Sequence, residues 1–251
     1  MLRQTLIAAC CLLLSGSLVA GGKLANKTST VVDEGTYAIF QNGVRVGTED
    51  FTIRQFADSN TTFSKLHSES GNSKFEQTSE LTLLPNGGFS HYEWKQLTPT
   101  HSSAEIENGD HVLVMHAIGE NGQALKDQTF FLSQETFILD DYFFSTREVL
   151  LWRYLATCKP HATGQDCDLV RQRFPVLIPR QRTSAQIYVE FKGYDNTPLN
   201  GRPQHLRHFV IQSEGNPDWH LWLNDAHKLL RISIPEANTE VLRQESPSAT
   251  K

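Results

Sequence analysis

Several histidine and cysteine residues in this 251-residue sequence could bind a metal ion. His205 and His208 could share one ion if they lay on a helix. Their surroundings predict a strand instead, where positions three apart point to opposite faces. Cys158, His161 and Cys167 could supply three zinc ligands. We favour ordinary surface histidines and an oxidised cysteine pair over either site, so we predict no metal ligand and no cofactor.

Acid–base chemistry has one candidate, the adjacent carboxylates Asp140 and Asp141. Neighbouring strand residues diverge, so a solvated loop explains this pair better than two cooperating catalytic groups. The sequence has no Gly-x-Ser-x-Gly motif, phosphate-binding glycine loop, His-Glu-x-x-His motif or EF-hand pattern. We therefore predict no catalytic residues and a protein that is not an enzyme.

Aromatic side chains recur in almost every predicted element and give the better functional clue. On a flat sheet they would be ordinary core. The concave face of a curved sheet must instead be filled by a helix or by a ligand, and a partly filled interior is an apolar pocket. We predict that an apolar ligand would contact seven of them: Tyr37, Tyr92, Trp94, Tyr142, Phe143, Trp152 and Trp222.

Residues 1–22 have the pattern of a secretory signal peptide. Arg3 precedes an apolar run over residues 6–14, and small residues suited to cleavage occupy 15–22. The apolar run is too short for a membrane anchor, which needs about 20 apolar residues. Lipidation at Cys10 is the less favoured alternative, because cleavage there would leave too short an apolar region. We expect a periplasmic or secreted protein.

Cys158 and Cys167 are the two cysteines that remain after the leader. Exported proteins mature in an oxidising compartment, where such a pair forms a disulfide. We therefore predict a structural disulfide between them.

The remaining chain predicts a single β-rich domain over residues 35–243, after a polar lead-in at 23–34 and before a disordered tail at 244–251. Alternating residues over 37–40 and 44–53 flank Asn42-Gly43, the strongest short-range signal for a β-hairpin. Further alternating segments separated by Gly, Asn and Pro turns predict an antiparallel meander. These segments are 61–67, 75–83, 89–97, 104–107, 111–118, 176–179, 185–194, 205–212, 220–223 and 228–234.

Residues 145–156 break the strand pattern. Their apolar positions recur at helical spacing, and Ser145 with Glu148 matches a capping box. We therefore predict a mainly β fold: a single strongly curved antiparallel sheet, or half-barrel, with one or two covering helices.

Three segments resemble those of uncharacterised bacterial exported proteins. Residues 37–47 resemble their opening hairpin, 176–179 their Val-x-x-Pro segment, and 222–235 their closing hairpin with a tryptophan. Such families are similar to LolA-like lipoprotein carriers. That resemblance implies a strongly curved sheet wrapped around helices and able to hold acyl chains. It implies no catalytic residues.

Two functions follow, and the sequence leaves both open. The first is an exported module that binds or carries a lipid or another apolar ligand inside the curved sheet, with the helix as a plug. The second is a structural or protein-interaction module of the cell envelope with a fully packed core. The formal net charge is −5 and charges of both signs are mixed, so we expect no nucleic-acid partner. No later segment predicts an integral membrane protein.

Overall fold

The computed structural model describes residues 28–68, 74–109, 111–133, 135–158, 169–199 and 201–244. Within these ranges the chain is mainly β, as predicted, and forms one 15-stranded sheet and one α-helix. The predicted leader, Cys167 and residues 245–251 lie outside them. Cys158 takes part in a disulfide bond. Its pairing with Cys167 stays a prediction.

The strands fall into two groups that follow the chain. The first group is β1 Thr30–Gln41, β2 Val44–Gln55, β3 Asn60–Ser68, β4 Glu76–Leu83, β5 Phe89–Thr98, β6 Ser102–Asn108, β7 Leu113–Ile118 and β8 Gln128–Phe130. The second group is β9 Phe137–Ile138, β10 Gln172–Ile178, β11 Thr183–Leu199, β12 Arg202–Ser213, β13 Trp219–Leu223, β14 Leu229–Ile234 and β15 Thr239–Arg243. Helix α1, Ser145–Ala156, lies between β9 and β10, and a 3-10 turn, Pro235–Ala237, precedes β15.

Two antiparallel meanders make up the sheet, and the pairing of β1 with β15 joins them. The strand order runs from β8 down to β1 and then from β15 down to β9. Every pair is antiparallel except β9 with β10, which is parallel. The sheet is open, with β8 and β9 as its two edges. The antiparallel meander predicted from the sequence is therefore confirmed, with one parallel pair added.

The first hairpin turns at the predicted dipeptide. Asn42 and Gly43 both have positive φ, 50° and 75°. This is the backbone that a two-residue turn between twisted antiparallel strands requires. The local sequence therefore sets the register of β1 against β2.

Replacing Gly43 with Ala should lower the free energy of unfolding by about 1 kcal/mol, because a Cβ disfavours positive φ. No heavy atom lies within 4 Å of a Cβ built at Gly43, so the loss would be conformational and not steric. Urea unfolding measures it. Gly43→Asn is the control and should lose less, since Asn tolerates this conformation. Equal losses for both variants would contradict the explanation.

Strand pairing begins before the predicted start of the domain and includes one strand that the sequence did not predict. β1 begins at Thr30, inside the predicted lead-in, and β15 was not predicted at all. β15 lies beside β1, where Arg243 is opposite Tyr37. The lead-in appeared polar partly because of Asp33, a buried residue that binds Arg243. A local pattern carries no sign of a partner that distant.

Helix α1 spans the predicted residues, but the predicted capping box is wrong. The N-cap is Phe144, no side chain of the helix caps it, and Ser145 is already helical. The backbone N–H groups of Phe144 and Ser145 donate instead to the Glu49 carboxylate in β2. Glu148 accepts a hydrogen bond from Tyr37. Glu49, which lies on a distant strand, therefore caps the helix in place of the predicted pair Ser145 and Glu148.

The helix packs on the sheet and fills much of its centre. Leu150, Leu151 and Tyr154 of α1 are fully buried in one large apolar cluster with side chains from both meanders. Phe143, just before the helix, is buried in the same cluster. Among the described residues, no helix is long and apolar enough to cross a membrane.

Candidate binding site

Two cavities meet beside the N-terminal end of α1. One has a volume of about 250 Å³ and contains Arg147 in its wall. The other has a volume of about 320 Å³ and contains Tyr142. We call them the Arg147 cavity and the Tyr142 cavity. They share Asp141, Trp219 and Ile234, so they lie on either side of the same residues.

Both cavities have mainly apolar walls. The Arg147 cavity is lined by Leu139, Ile178, Ile187, Ile211, Trp219 and Ile234. The Tyr142 cavity is lined by Ile39, Val46, Leu66, Phe75, Tyr142 and Phe144, besides the shared residues. Small-molecule sites commonly have volumes of about 300–1,000 Å³ and apolar walls with a few polar groups. The Arg147 cavity alone is smaller than that range, the Tyr142 cavity alone is at its lower end, and the two together lie within it.

Arg147 is the cationic residue in the wall of its cavity and is 1% exposed. Its Nη1 donates to the carbonyl oxygens of Asp140 and Phe143. Its guanidinium carbon lies 4.3 Å from the centre of the Trp219 ring. Burial lowers the pKa of Arg147, and the nearby carboxylates of Asp141, Asp140 and Glu49 oppose that effect.

Asp140 is fully buried beside Arg147 but has its own counter-ion. Arg180 Nε lies 3.0 Å from its Oδ1. The Tyr92 hydroxyl donates to Oδ2 at 2.5 Å. Arg180 also donates from Nη2 to Gln77 Oε1 at 2.7 Å, which ties the turn after β10 to β4 in the other meander. Asp141 instead accepts from Gln181 Nε2 at 2.6 Å, so the two neighbouring carboxylates have different partners. The predicted solvated loop is wrong for Asp140, which is buried.

Glu49 holds the start of the helix in place. Its carboxylate accepts from Phe144 N at 2.6 Å, Ser145 N at 3.2 Å and the Ser64 hydroxyl at 2.8 Å. Burial raises the pKa of Glu49, and these donors partly offset the rise. An acidic side chain at a helix N-terminus is favourable because unpaired N–H groups point at it. The segment that carries Arg147 is thus fixed to β2.

A second buried network lies behind the first turn of α1. Asp33 binds Arg243 Nη1 at 2.6 Å and Lys228 Nζ at 2.6 Å. Glu148 Oε2 accepts from the Tyr37 hydroxyl at 2.9 Å. Burial raises the pKa of Glu148 well above its usual value, and the neighbouring Asp33 carboxylate raises it further. Arg243 Nη1 lies 3.7 Å from Glu148 Oε2 and opposes this rise, but Glu148 still holds its proton to a higher pH than Asp33 does.

The aromatic residues predicted to line a ligand site do not come together. Tyr37, Tyr92 and Phe143 are at most 1% exposed and belong to the packed core. Of the predicted set, Tyr142 alone lines one of the two cavities beside α1. Trp94 lines a separate cavity of about 290 Å³ near Arg180.

The other two predicted aromatics lie elsewhere. Trp152, in the C-terminal half of α1, lines two further cavities of about 340 and 350 Å³. Trp222 belongs to a separate small cluster and stacks on His208 with ring centres 4.8 Å apart. Its Nε1 donates to Asp195 at 3.1 Å.

Sequence reasoning missed Trp219 and Arg147 as candidate site residues. Trp219 is one of many aromatic residues in the sequence, and Arg147 occupies a polar position in the first turn of the predicted helix. The available signal was an arginine next to a predicted capping residue, within a segment rich in aromatics. That signal is weak because the burial of Arg147 depends on β13, more than 70 residues away.

Three potential metal ligands cluster on the surface of β5 and β6. His91, Glu105 and Glu107 each offer an atom within 4.8 Å of the others. His91 Nε2 and Glu105 Oε1 are 2.8 Å apart, the geometry of an ordinary surface ion pair. His205 and His208 have separate partners, since His205 stacks on Tyr194. We draw no metal site from either group.

Comparisons with known proteins complete the description of the site. No family model, curated protein or solved structure matches this chain. The resemblance to LolA-like carriers therefore stays a prediction. The cavities and the side chains around them are the features that bear on function.

Proposed function

We propose that the protein binds the hydrocarbon part of a lipophilic ligand in the two cavities that meet at Trp219. The carrying observation is that two mainly apolar cavities share one wall beside the start of α1. A ligand placed there would contact Trp219 from either side. The ligand lies at the end of the sheet beside α1 and not at its centre, because α1 and the core fill the centre.

Strong curvature of the sheet is part of this proposal. The turn after β10 contacts β4 through Arg180 and Gln77, and Tyr92 of β5 binds Asp140 beyond β9. Strands far apart in the sheet order therefore contact one another, which supports a sheet that wraps around α1. The signal-peptide pattern supports a ligand met in the periplasm or outside the cell.

The competing function is a structural or protein-interaction module of the envelope. The packed centre favours it, since many large side chains there are fully buried. The cavities beside α1 favour the binding function. A direct binding measurement separates the two.

Filling either cavity with a larger side chain should weaken binding of a neutral apolar probe, N-phenyl-1-naphthylamine, at least about tenfold. Val46→Trp would occupy the Tyr142 cavity, and Ser213→Trp would occupy the Arg147 cavity. The added ring takes the volume that the probe needs. Probe fluorescence during titration gives the dissociation constants, and native mass spectrometry of the purified wild type shows any retained lipid.

Val44→Trp is the matched control, because Val44 lies on the same strand, is 65% exposed and lines neither cavity. It should bind the probe as the wild type does. A wild type that neither binds the probe nor retains lipid would favour the envelope module. Binding that is unchanged in both filled variants would place the site elsewhere.

A further inference from the structure

The buried charge of Arg147 has no counter-ion among the residues that the structure describes. Burying a charge is costly unless the group is paired and hydrogen-bonded. Arg147 donates hydrogen bonds to the carbonyl oxygens of Asp140 and Phe143 and to the Thr146 hydroxyl, all neutral acceptors. Arg147 Nε is buried with no hydrogen-bond partner in the described part of the chain. No carboxylate there forms a salt bridge with it.

The carboxylates near Arg147 already bind other groups. Asp140 is bound by Arg180 and Tyr92. Glu49 accepts the N–H groups at the start of the helix and the Ser64 hydroxyl. These two acids therefore cannot turn towards Arg147 without losing their present partners.

Asp141 is the one acid that shares the cavity wall with Arg147. Its Oδ2 accepts from Gln181 Nε2 at 2.6 Å. Its charge acts on Arg147 from beyond salt-bridge distance and would oppose an incoming anion. The charge that a ligand can carry there therefore depends on both Arg147 and Asp141.

Arg147 lines its cavity together with apolar side chains. Its guanidinium packs over the Trp219 ring, which is shared by both cavities. Isoleucine and leucine side chains form the remaining wall: Leu139, Ile178, Ile187, Ile211 and Ile234. A cation at one end of a hydrocarbon-lined space matches a molecule with a charged head and an apolar chain.

We infer that Arg147 binds the anionic head group, a carboxylate or a phosphate, of a single-chain amphiphile whose chain lies in the two cavities. This inference rests on the proposed function. The guanidinium presents a planar fork of donors that fits both anions. The head group supplies the counter-ion that the described residues do not, and its direct contact with the guanidinium outweighs the repulsion of Asp141, which lies beyond salt-bridge distance of Arg147.

Four amphiphiles with the same chain test the inference on the unmodified protein: dodecanoate, dodecyl phosphate, dodecanol and dodecylamine. Each displaces the neutral probe at pH 8, below its micelle concentration. We expect at least one anion to bind about tenfold or more tightly than dodecanol, and dodecylamine to bind most weakly. The tighter anion identifies the head group.

The outcomes separate the two proposals. Equal affinity for all four compounds would overturn the anionic head group and leave the binding of hydrocarbon intact. Dodecylamine binding most tightly would also overturn it, because Asp141 would then dominate. Failure of all four, together with failure of the probe, would overturn the proposed function itself.

Two variants test whether Arg147 and Asp141 determine the preference for an anionic head group. Arg147→Met keeps most of the side-chain length without the charge, and the ratio of anion to dodecanol affinity should fall towards one. Asp141→Asn removes the opposing charge from the same wall and should raise that ratio by about twofold or more. If Arg147→Met does not fold, Asp141→Asn and the unmodified protein still decide the question. A ratio unchanged in Asp141→Asn would count against a head group at this wall.

Discussion

The Asp33→Asn protein should be less stable than the wild type by about 3–5 kcal/mol at pH 5, whereas Glu148→Gln should be nearly as stable as the wild type at that pH. Both residues are buried carboxyl groups of one network. The two carboxyl groups differ in pKa, which is lowered for Asp33 and raised for Glu148. Urea unfolding of the two variants measures the contrast.

Asp33 is the ionised member, and two cations depend on it. Arg243 binds it through Nη1 and Nη2 at 2.6 and 2.7 Å, and Lys228 Nζ lies 2.6 Å from Oδ1. The Arg243 side chain is 11% exposed, so removing the charge of Asp33 leaves a nearly buried guanidinium beside Glu148 alone, whose Oε2 lies 3.7 Å from Arg243 Nη1. Breaking one side of a buried ion pair is among the most costly substitutions known.

Glu148 is the protonated member, so an amide replaces it with little change. Its Oε2 would remain an acceptor for the Tyr37 hydroxyl. Its Oε1 is buried and accepts no hydrogen bond, but when protonated it can donate to Asp33. The Gln amide group can make both interactions, because it carries one acceptor and one donor group.

Opposite pH dependences follow for the two carboxyl groups. Burial alone would raise the pKa of Asp33, but hydrogen bonds from Arg243, Glu148 and Lys228 lower it from 3.8 to about 2. Its stabilisation, about 2 kcal/mol, is therefore present above pH 3.8 and is lost as the pH falls towards 2. The raised pKa of Glu148 makes stability fall as the pH rises above 4.5 through the folded-state pKa.

These signs give a second readout. The Glu148→Gln protein should lose the decline above pH 4.5, so it should be more stable than the wild type at pH 7 and pH 9, with little difference at pH 5. Lys228→Met is a control for the network, since the Lys228 side chain is 40% exposed and its removal should cost about 1 kcal/mol or less. A large loss in Glu148→Gln at pH 5 would show that Glu148 is ionised there and that the assignment is wrong.

The same residues explain which parts of the fold could be predicted from the sequence. Asn42-Gly43 and the helical spacing over 145–156 act within a few residues, and both predictions are confirmed. β15 and the start of β1 depend on Asp33 and Arg243, which are 210 residues apart. The periodicity of neighbouring residues contains no information about a contact between residues so far apart.

The candidate site was harder to predict for the same reason. The sequence showed many aromatic residues but not which of them would border a space. Tyr142 borders one of the two cavities beside α1, whereas Tyr92 is taken up by its hydrogen bond to Asp140. Trp222 joined a different cluster with His208 and Asp195. Alternation along a strand gives the face of a side chain but not whether that face is filled.

Replacing Glu49 with Ala should lower the free energy of unfolding by about 3 kcal/mol or more. The substitution removes the acceptor for two buried backbone N–H groups and for the Ser64 hydroxyl. Each buried donor left without a partner costs about 1–3 kcal/mol. Ser64 can retain one bond, since its hydroxyl also lies 2.7 Å from that of Ser145. Chemical unfolding measures the loss.

Glu49→Gln and Glu93→Ala separate the cap from a general effect of losing an acid. The Gln amide oxygen can still accept one or two of the three bonds, so Glu49→Gln should lose less than Glu49→Ala. Glu93 forms a surface ion pair with Lys95, and its removal should cost less than about 1 kcal/mol. Because Glu49 fixes the segment that carries Arg147, amide exchange at the start of α1 should quicken in Glu49→Ala before the sheet opens. Uniform quickening across sheet and helix would instead make Glu49 a general core residue and remove its link to the site.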